Sequence, residues 1–200
     1  GLENLPRGQP FVLVSNHQSY MDAPVLSGVL PVVVSYIAKS ELKSHPVIKR
    51  LLTRLGVCFV ERFNNQQSVA DARAIDAVIA KGNPVVFFAE GPFKRTPGLL
   101  PFQMVAFLCA ANNNVPIVPV TLRGTRFVLR DGSWFPRYGG IRVIFSSPIP
   151  VEFSENAWHT AIRLRDQTRA VILHWSTEPD LLQTYGTHIT QPNNSSKQRS

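Results

Sequence analysis

The sequence predicts an α/β fold, a mixed, largely parallel sheet covered by helices, and three observations lead there. Short apolar runs of strand length recur along the chain. Between several of them lie stretches with helical spacing of apolar residues, the alternation expected of a sheet layered with helices. Late in the chain, Arg130-Asp131-Gly132-Ser133 supplies a hairpin-like turn, which makes part of the sheet antiparallel.

The elements follow in order. Gly1-Leu2-Glu3-Asn4-Leu5-Pro6 has the character of a linker entering a strand; with no methionine at position 1 and no signal-peptide pattern, it suggests an excised domain or a piece of a longer protein. Strands are expected at Phe11–Ser15, Val32–Ile37, Val57–Glu61, Val85–Phe88, Ile117–Leu122 and Arg142–Phe145. A helix over Ser40–Arg54 carries Leu42, Val47, Ile48, Leu51 and Leu52 on a broad apolar face, interrupted at Pro46. A second, Ser68–Ala80, repeats Val69, Ala72, Ile75 and Ile79 and ends at Gly82, a good C-cap. Phe102–Ala111 and Ala157–Trp175 complete the set. Residues 1–182 are expected to form the domain and 183–200, polar and without periodicity, a disordered tail.

Composition narrows the partners. Two hundred residues with 44% hydrophobic content suit one domain with a sizeable core. The formal charge of +8 favours anionic partners: lipid headgroups, phosphorylated substrates, an acidic carrier protein or nucleic acid. The basic residues form no aromatic-interleaved motif or known module for nucleic acid, so that class rests on charge alone and none is expected. Cys58 and Cys109 sit in apolar stretches without metal-ligand spacing, like reduced core residues of an intracellular protein, although sequence leaves a bridge open. The longest apolar stretch, Ala23–Ala38, is broken by Pro24, Gly28 and Pro31 and is too short to span a bilayer.

The chemistry gathers at strand ends. After Phe11-Val12-Leu13-Val14 come Asn16, His17 and, five residues past the histidine, Asp22. An imidazole held by a carboxylate is a candidate general base near neutral pH. On a regular helix five residues are about 140° apart, so the pair meets only if His17 sits in the turn and Asp22 in the first helical turn. Ser19-x-x-Asp22 has the form of a capping pair at such a start; Asp22 as a mere cap is therefore the competing view. Five histidines and six aspartates also make one H-x4-D by chance roughly one time in seven. The second strand, Val57–Glu61, delivers Glu61 and Arg62 at its end, and the guanidinium suits a phosphate or, more blandly, an ion pair. A third, Val85–Ala89, delivers Glu90, Gly91, Pro92, Phe93, Lys94 and Arg95. The fourth, Val115–Val120, is proline-flanked and architectural.

These four segments, in order and spacing, resemble the glycerolipid acyltransferase family, best known for the 1-acyl-glycerol-3-phosphate acyltransferases. The family's N-H-x4-D is matched by Asn16, His17 and Asp22; its G-x-x-F-x-x-R segment by Gly56, Phe59 and Arg62; its F-P-E-G-T-R by Phe88, Glu90 and Gly91 alone; and its V-P-x-x-P by Val115, Pro116 and Pro119. The resemblance covers about residues 8 to 150. The third motif departs: Ala89 replaces proline, and Pro92 and Phe93 stand at the Thr-Arg positions, removing a hydroxyl and a backbone N–H.

The resemblance implies an O-acyltransferase of phospholipid biosynthesis, moving a fatty acyl group from acyl-CoA or acyl-carrier protein to the free hydroxyl of lysophosphatidate or a related lysophospholipid. It implies His17 as general base and Asp22 as its orienting partner, with Asn16, Arg62, Glu90, Gly91, Lys94 and Arg95 at the substrate, and neither cofactor nor metal. Glycerol 3-phosphate, another lysolipid, or a catalytically impaired membrane-binding relative stay open, because Pro92 and Phe93 alter the acceptor end. The expected location is the cytoplasmic face of a membrane rich in anionic lipid, peripheral or anchored through segments absent from this chain. Its contacts are expected from Lys39, Lys43, Lys49, Arg50 and Arg54, with Phe93, Leu99, Leu100 and Phe102 adding apolar area.

Overall fold

A computed structural model describes residues 1–39, 57–60, 75–130, 132–133, 135–152 and 156–186. Six strands form one sheet: β1 (Val12–Ser15), β2 (Ser35–Lys39), β3 (Val57–Val60), β4 (Val85–Phe88), β5 (Ile117–Arg123) and β6 (Arg142–Phe145), in the order β3-β2-β4-β1-β5-β6. All neighbours are parallel except β5 and β6, which run antiparallel. The sheet is thus mixed and largely parallel, as the sequence predicts.

Burial on both faces explains the apolar runs. Val12, Val14, Val85, Phe87 and Ile117 turn to one side and pack on Ile75 and Ile79 of α2 (75–80), Phe107 and Ala110 of α3 (Val105–Asn113), and Leu164 and Ile172 of α5 (Ala157–Ser176). Leu13, Tyr36, Val86, Val118 and Val120 turn to the other side, where α1 (Asp22–Val29) contributes Leu26. Period-two alternation therefore selects the face, while every side chain of β1 stays dry.

Helix ends follow local chemistry. Gly82 takes φ +81° and its N–H donates to Ile79 O at 2.9 Å, closing α2 as a glycine C-cap does. The Asn156 side chain caps α5 by accepting from Trp158 N–H at 2.8 Å. Two further short helices are α4 (Thr125–Val128) and α6 (Leu182–Gly186).

Several boundaries differ from expectation. β2 begins three residues later than its apolar run, because its first ladder bond, Ser35 N–H to Pro84 O, can form only where β4 begins. Val33 is left 88% exposed. The turn at Arg130 forms, with Ser133 N–H on Arg130 O at 3.0 Å, but it lies inside a long β5–β6 connection rather than a tight hairpin. Within the stretch expected as a tail, Leu182–Gly186 is helical, its first N–H taken by Asp180 Oδ1 at 2.8 Å, and 187–200 lie outside the described residues. Cys109 is buried in the core, as its apolar surroundings predict. The expected helix over Ser40–Arg54, most of that over Ser68–Ala80, and Lys43, Lys49, Arg50, Arg54, Glu61 and Arg62 lie outside the described residues, as do the side chains of Lys39, Cys58 and Phe59. No described helix is long and apolar enough to cross a membrane.

Candidate active site

The parallel register decides what meets. Ser15 on β1 pairs with Phe88 on β4 and with Val120 on β5, so the residues just past each strand converge at one carboxyl edge. Two residues beyond Ser15 stands His17; two beyond Phe88 stands Glu90. His17 N–H donates to Glu90 Oε1 at 2.8 Å, and Leu100 N–H donates to Glu90 Oε2 at 2.8 Å. Ligand sites in open α/β sheets lie at such strand ends.

The His17–Asp22 pair forms in the expected way. His17 Nδ1 lies 2.8 Å from Asp22 Oδ2, and Asp22 is wholly buried while the imidazole keeps 19% of its surface exposed. The same Oδ2 accepts from Gln18 N–H at 2.6 Å and Ser19 N–H at 2.9 Å. Ser19 Oγ in turn accepts from Met21 N–H at 3.1 Å and donates to Leu129 O at 2.7 Å. Cap and histidine partner are thus one arrangement, not alternatives: the carboxylate that ties the turn also receives the imidazole. An acceptor-only carboxylate assigns the proton to Nδ1 and leaves Nε2 as the basic nitrogen, which takes no hydrogen bond from the described residues. Phe88 stacks on the ring at 4.2 Å and Phe93 meets it edge-on at 4.7 Å. Tyr20 packs edge-on against Phe93 at 4.7 Å.

Asn16 and Glu90 work on the scaffold. Asn16 Nδ2 donates to Leu122 O at 3.0 Å and its Oδ1 accepts from Leu122 N–H at 2.8 Å, so the amide continues the β1–β5 ladder where the strand ends. At 1% exposure it offers a substrate nothing. Both Glu90 oxygens are taken by backbone N–H groups. Burial pushes its carboxyl up to about 7, against the pull of the Leu100 and His17 N–H groups and the Arg126 charge; Glu178 nearby pushes further upward. Gly91 takes φ +80°, and a Cβ there would stand 2.6 Å from Gln103 Nε2, so the turn requires glycine. Ala89, in place of the family's proline, donates its N–H to Ser15 O at 3.3 Å, a bond proline would forfeit.

Lys94 and Arg95 are exposed on the loop that follows Gly91. That loop is held by residues far along the chain. Arg126 Nη1 donates to Lys94 O at 2.5 Å and Thr96 O at 3.2 Å. Glu178 accepts from Gln18 Nε2 at 3.0 Å and from Gly98 N–H, and stands 3.5 Å from Arg126 Nε. Arg169 donates to Leu99 O at 3.0 Å and to both oxygens of Asp180, at 2.6 and 3.1 Å. Leu99 N–H donates to Pro179 O and Leu181 N–H to Leu99 O, a short bridge between the segments. None of Gln18, Arg126, Arg169 or Glu178 is a fixed position of a motif, and no local pattern in the sequence singles them out. Leu99, Leu100 and Phe102, expected at a membrane surface, are 1%, 7% and 6% exposed. They fill the space beneath this loop, and the Arg169 guanidinium lies 5.9 Å over the Phe102 ring.

Among the described residues no group of three His, Cys, Asp or Glu side chains is placed to hold a metal ion. A histidine fixed by a buried carboxylate, at the carboxyl edge of a largely parallel sheet, has the geometry to take a proton from a hydroxyl. The family model "Acyltransferase" matches residues 1–123, and the chain belongs to that family. Among named relatives, it is 37% identical over 151 residues to a chloroplastic 1-acyl-sn-glycerol-3-phosphate acyltransferase of Brassica napus, covering 74% of this chain and 44% of that protein. It is 32% identical over 112 residues to the 1-acyl-sn-glycerol-3-phosphate acyltransferase of Neisseria gonorrhoeae, covering 56% and 43%. The chain thus spans less than half the length of these relatives. The crystal structure of the 1-acyl-sn-glycerophosphate (LPA) acyltransferase PlsC from Thermotoga maritima superposes with a TM-score of 0.66 at 25% identity, over 88% of this chain and 72% of that one. Arg126, Arg169 and Glu178 all lie beyond the residues that the family model matches.

Proposed function

We propose that this chain is an O-acyltransferase that moves a fatty acyl group from a thioester donor, acyl-CoA or acyl-carrier protein, to the free hydroxyl of lysophosphatidate or a related lysophospholipid, at a membrane surface. One observation carries the chemistry: His17 Nδ1 is fixed on fully buried Asp22, with the ring's far nitrogen turned to no protein partner among the described residues. Nε2 takes the proton of the acceptor hydroxyl as the oxygen attacks the thioester carbonyl. The C–S bond breaks, and the imidazolium returns its proton to the leaving thiolate. An ester and a free thiol result, and Asp22 stabilises the cation in between.

General base help of this kind supplies roughly 10²- to 10⁴-fold; positioning and donors around the developing oxyanion supply the rest. The relatives' names support lysophosphatidate as acceptor. For its phosphate we keep Arg62, Lys94 and Arg95, with Gly91 shaping the turn beneath them. Asn16 and Glu90 move from substrate contact to positioning, since their polar atoms are spent on Leu122, His17 and Leu100. A carboxylate beside an acceptor phosphate would also repel it.

Purified protein offered a panel of lysolipids with both donors, read by mass spectrometry, tests the proposal. Acylated lysophosphatidate that disappears in His17→Ala, with the circular dichroism unchanged, is the expected result. Absence of transfer from either donor to any lysolipid would sink it.

A further inference from the structure

The connection between β5 and β6 carries chemistry that acyl transfer does not use. It leaves the carboxyl end of β5 at Arg123 and returns at Arg142, so it occupies the same edge of the sheet as His17. It is fixed there. Ser19 Oγ in the catalytic turn donates to Leu129 O at 2.7 Å, and Arg137 N–H donates to Val128 O at 2.7 Å. At its base, a Cβ on Gly124 would stand 2.1 Å from Gly140 O, so the two ends of the connection touch.

A segment so anchored nevertheless turns aromatic rings to solvent: Phe127 is 52%, Phe135 83% and Tyr138 103% exposed. Three large exposed rings on one short connection point to an interaction site. Residues 123–142 also hold five arginines against one aspartate, half of the chain's net charge of +8. Arg130, Arg137 and Arg142 are exposed, and none forms an ion pair among the described residues.

Aromatic rings set among guanidinium groups match the boundary of a bilayer, where rings settle at headgroup depth and cations meet lipid phosphate. A second copy of the same patch would bring like charge against like. An acidic carrier protein would engage the arginines but give three exposed rings no apolar phase to enter. We propose that the β5–β6 connection is the surface by which this domain docks onto a bilayer containing anionic phospholipid. Phe127, Phe135 and Tyr138 enter the headgroup–acyl boundary while Arg130, Arg137 and Arg142 meet the phosphates. The proposal rests on the acyl-transfer reading only for its use: docking here turns the strand ends that carry His17 toward the phase that holds a lysolipid.

Flotation with phosphatidylcholine–phosphatidylglycerol vesicles, against phosphatidylcholine alone, tests the surface without turnover. The 200-residue chain is expected to bind the anionic vesicles. Phe135→Ser with Tyr138→Ser, and separately Arg130→Glu with Arg137→Glu, should each weaken binding roughly tenfold or more. All four side chains are exposed, so the folded state should survive, as circular dichroism checks. Val33→Ser, at the opposite edge, should change nothing, and His17→Ala should bind vesicles normally while losing transfer. That last variant separates failure of the docking surface from failure of the acyl-transfer reading. Vesicle binding unchanged in both double variants overturns the proposal. So does loss of binding to acyl-carrier protein alone in the arginine variant, self-association abolished by Phe135→Ser without vesicle binding, or an equal effect of Val33→Ser.

Discussion

The turn Asn16–Asp22 and the loop Gly91–Leu100 face each other across the candidate site, yet they are held by opposite means. The turn is fixed from within: Asp22 reaches back five residues to His17, four to Gln18 and three to Ser19. The loop is fixed from afar, by Arg126 about thirty residues on, Arg169 seventy residues beyond Leu99 and Glu178 eighty beyond Gly98. A local arrangement is paid for by little chain entropy and can be compact, rigid and chemically exacting. The distant one ties the shape of the acceptor side to the docking of α5 and α6. In physical terms, the proposed base is built by the turn, and the rim opposite it by the fold as a whole.

Breaking the turn should have the largest effect. Among the described residues Asp22 Oδ1 is buried without a partner, whereas Oδ2 accepts from Gln18 N–H and Ser19 N–H and meets His17 Nδ1. Asp22→Asn can therefore keep its carbonyl oxygen at the Oδ2 place and put the NH₂ where Oδ1 stood. The turn survives, at a cost of about 1–3 kcal/mol for the unpaired buried donor, but the imidazolium loses its counter-charge. The expected outcome is a kcat at least about 10²-fold lower with KM for the acceptor little changed. A KM effect alone would mean that Asp22 serves the substrate rather than the base.

Breaking the loop's ties should act on stability and KM together. Glu178→Ala unpairs Gly98 N–H and Gln18 Nε2 and leaves Arg126 without its carboxylate. Arg169→Met takes the guanidinium from Leu99 O, which keeps only Leu181 N–H, and leaves Asp180 without its cation. Each should cost about 1–3 kcal/mol in denaturant unfolding. Acceptor KM should rise more than kcat falls, because the loop bears Lys94 and Arg95 while His17 keeps Asp22. An equal fall of kcat in Glu178→Ala and Asp22→Asn would erase the contrast between the two regions.

This contrast also explains what the sequence could disclose. His17, Asp22 and Ser19 lie within one short segment, so the sequence offers their meeting beside the view of Asp22 as a mere cap, and the turn geometry joins the two. Arg169 and Asp180 are separated by eleven residues, but their joint grip on Leu99 has no periodic signature. Leu99, Leu100 and Phe102 misled because an apolar residue beside cations fits a membrane surface as well as a core; only the packing of α5 decides. Asn16 misled differently. Its place in a motif suggests a ligand contact, and only the β1–β5 register reveals that the amide extends a ladder.

Protonation offers a third way to separate the regions. Glu90 joins them, with one oxygen on His17 N–H and the other on Leu100 N–H. Its carboxyl is raised from 4.5 to about 7, chiefly by burial. The folded state thus binds this proton more tightly than the unfolded chain. Its contribution to stability is complete below about 4.5 and is lost as pH rises through about 7, by on the order of 3 kcal/mol. Asp180 runs the other way. Arg169 lowers its carboxyl, so its contribution is present above the ordinary aspartate range and fades as pH falls through the lowered value. Unfolding free energy measured against pH should therefore fall between pH 5 and 7 in the parent chain, and that slope should flatten in Glu90→Gln. An unchanged slope would assign it to another group.

The smallest effect is expected at Phe93, the residue that stands where the family motif carries arginine. Its ring meets His17 and Tyr20 edge-on, each at 4.7 Å, and so closes the open side of an imidazole already stacked on Phe88. An edge contact of this kind is worth about 0.5–1.5 kcal/mol, while Asp22 and Phe88 continue to hold the ring. Phe93→Leu should therefore lower kcat less than about tenfold, with a change in melting temperature of only a few degrees. A loss as large as that of Asp22→Asn would make Phe93 an equal partner in holding the base. No loss at all, with an altered preference among lysolipid headgroups, would instead assign the ring to the acceptor side of the site. The two regions would then meet at Phe93, with the loop choosing the alcohol that the turn deprotonates.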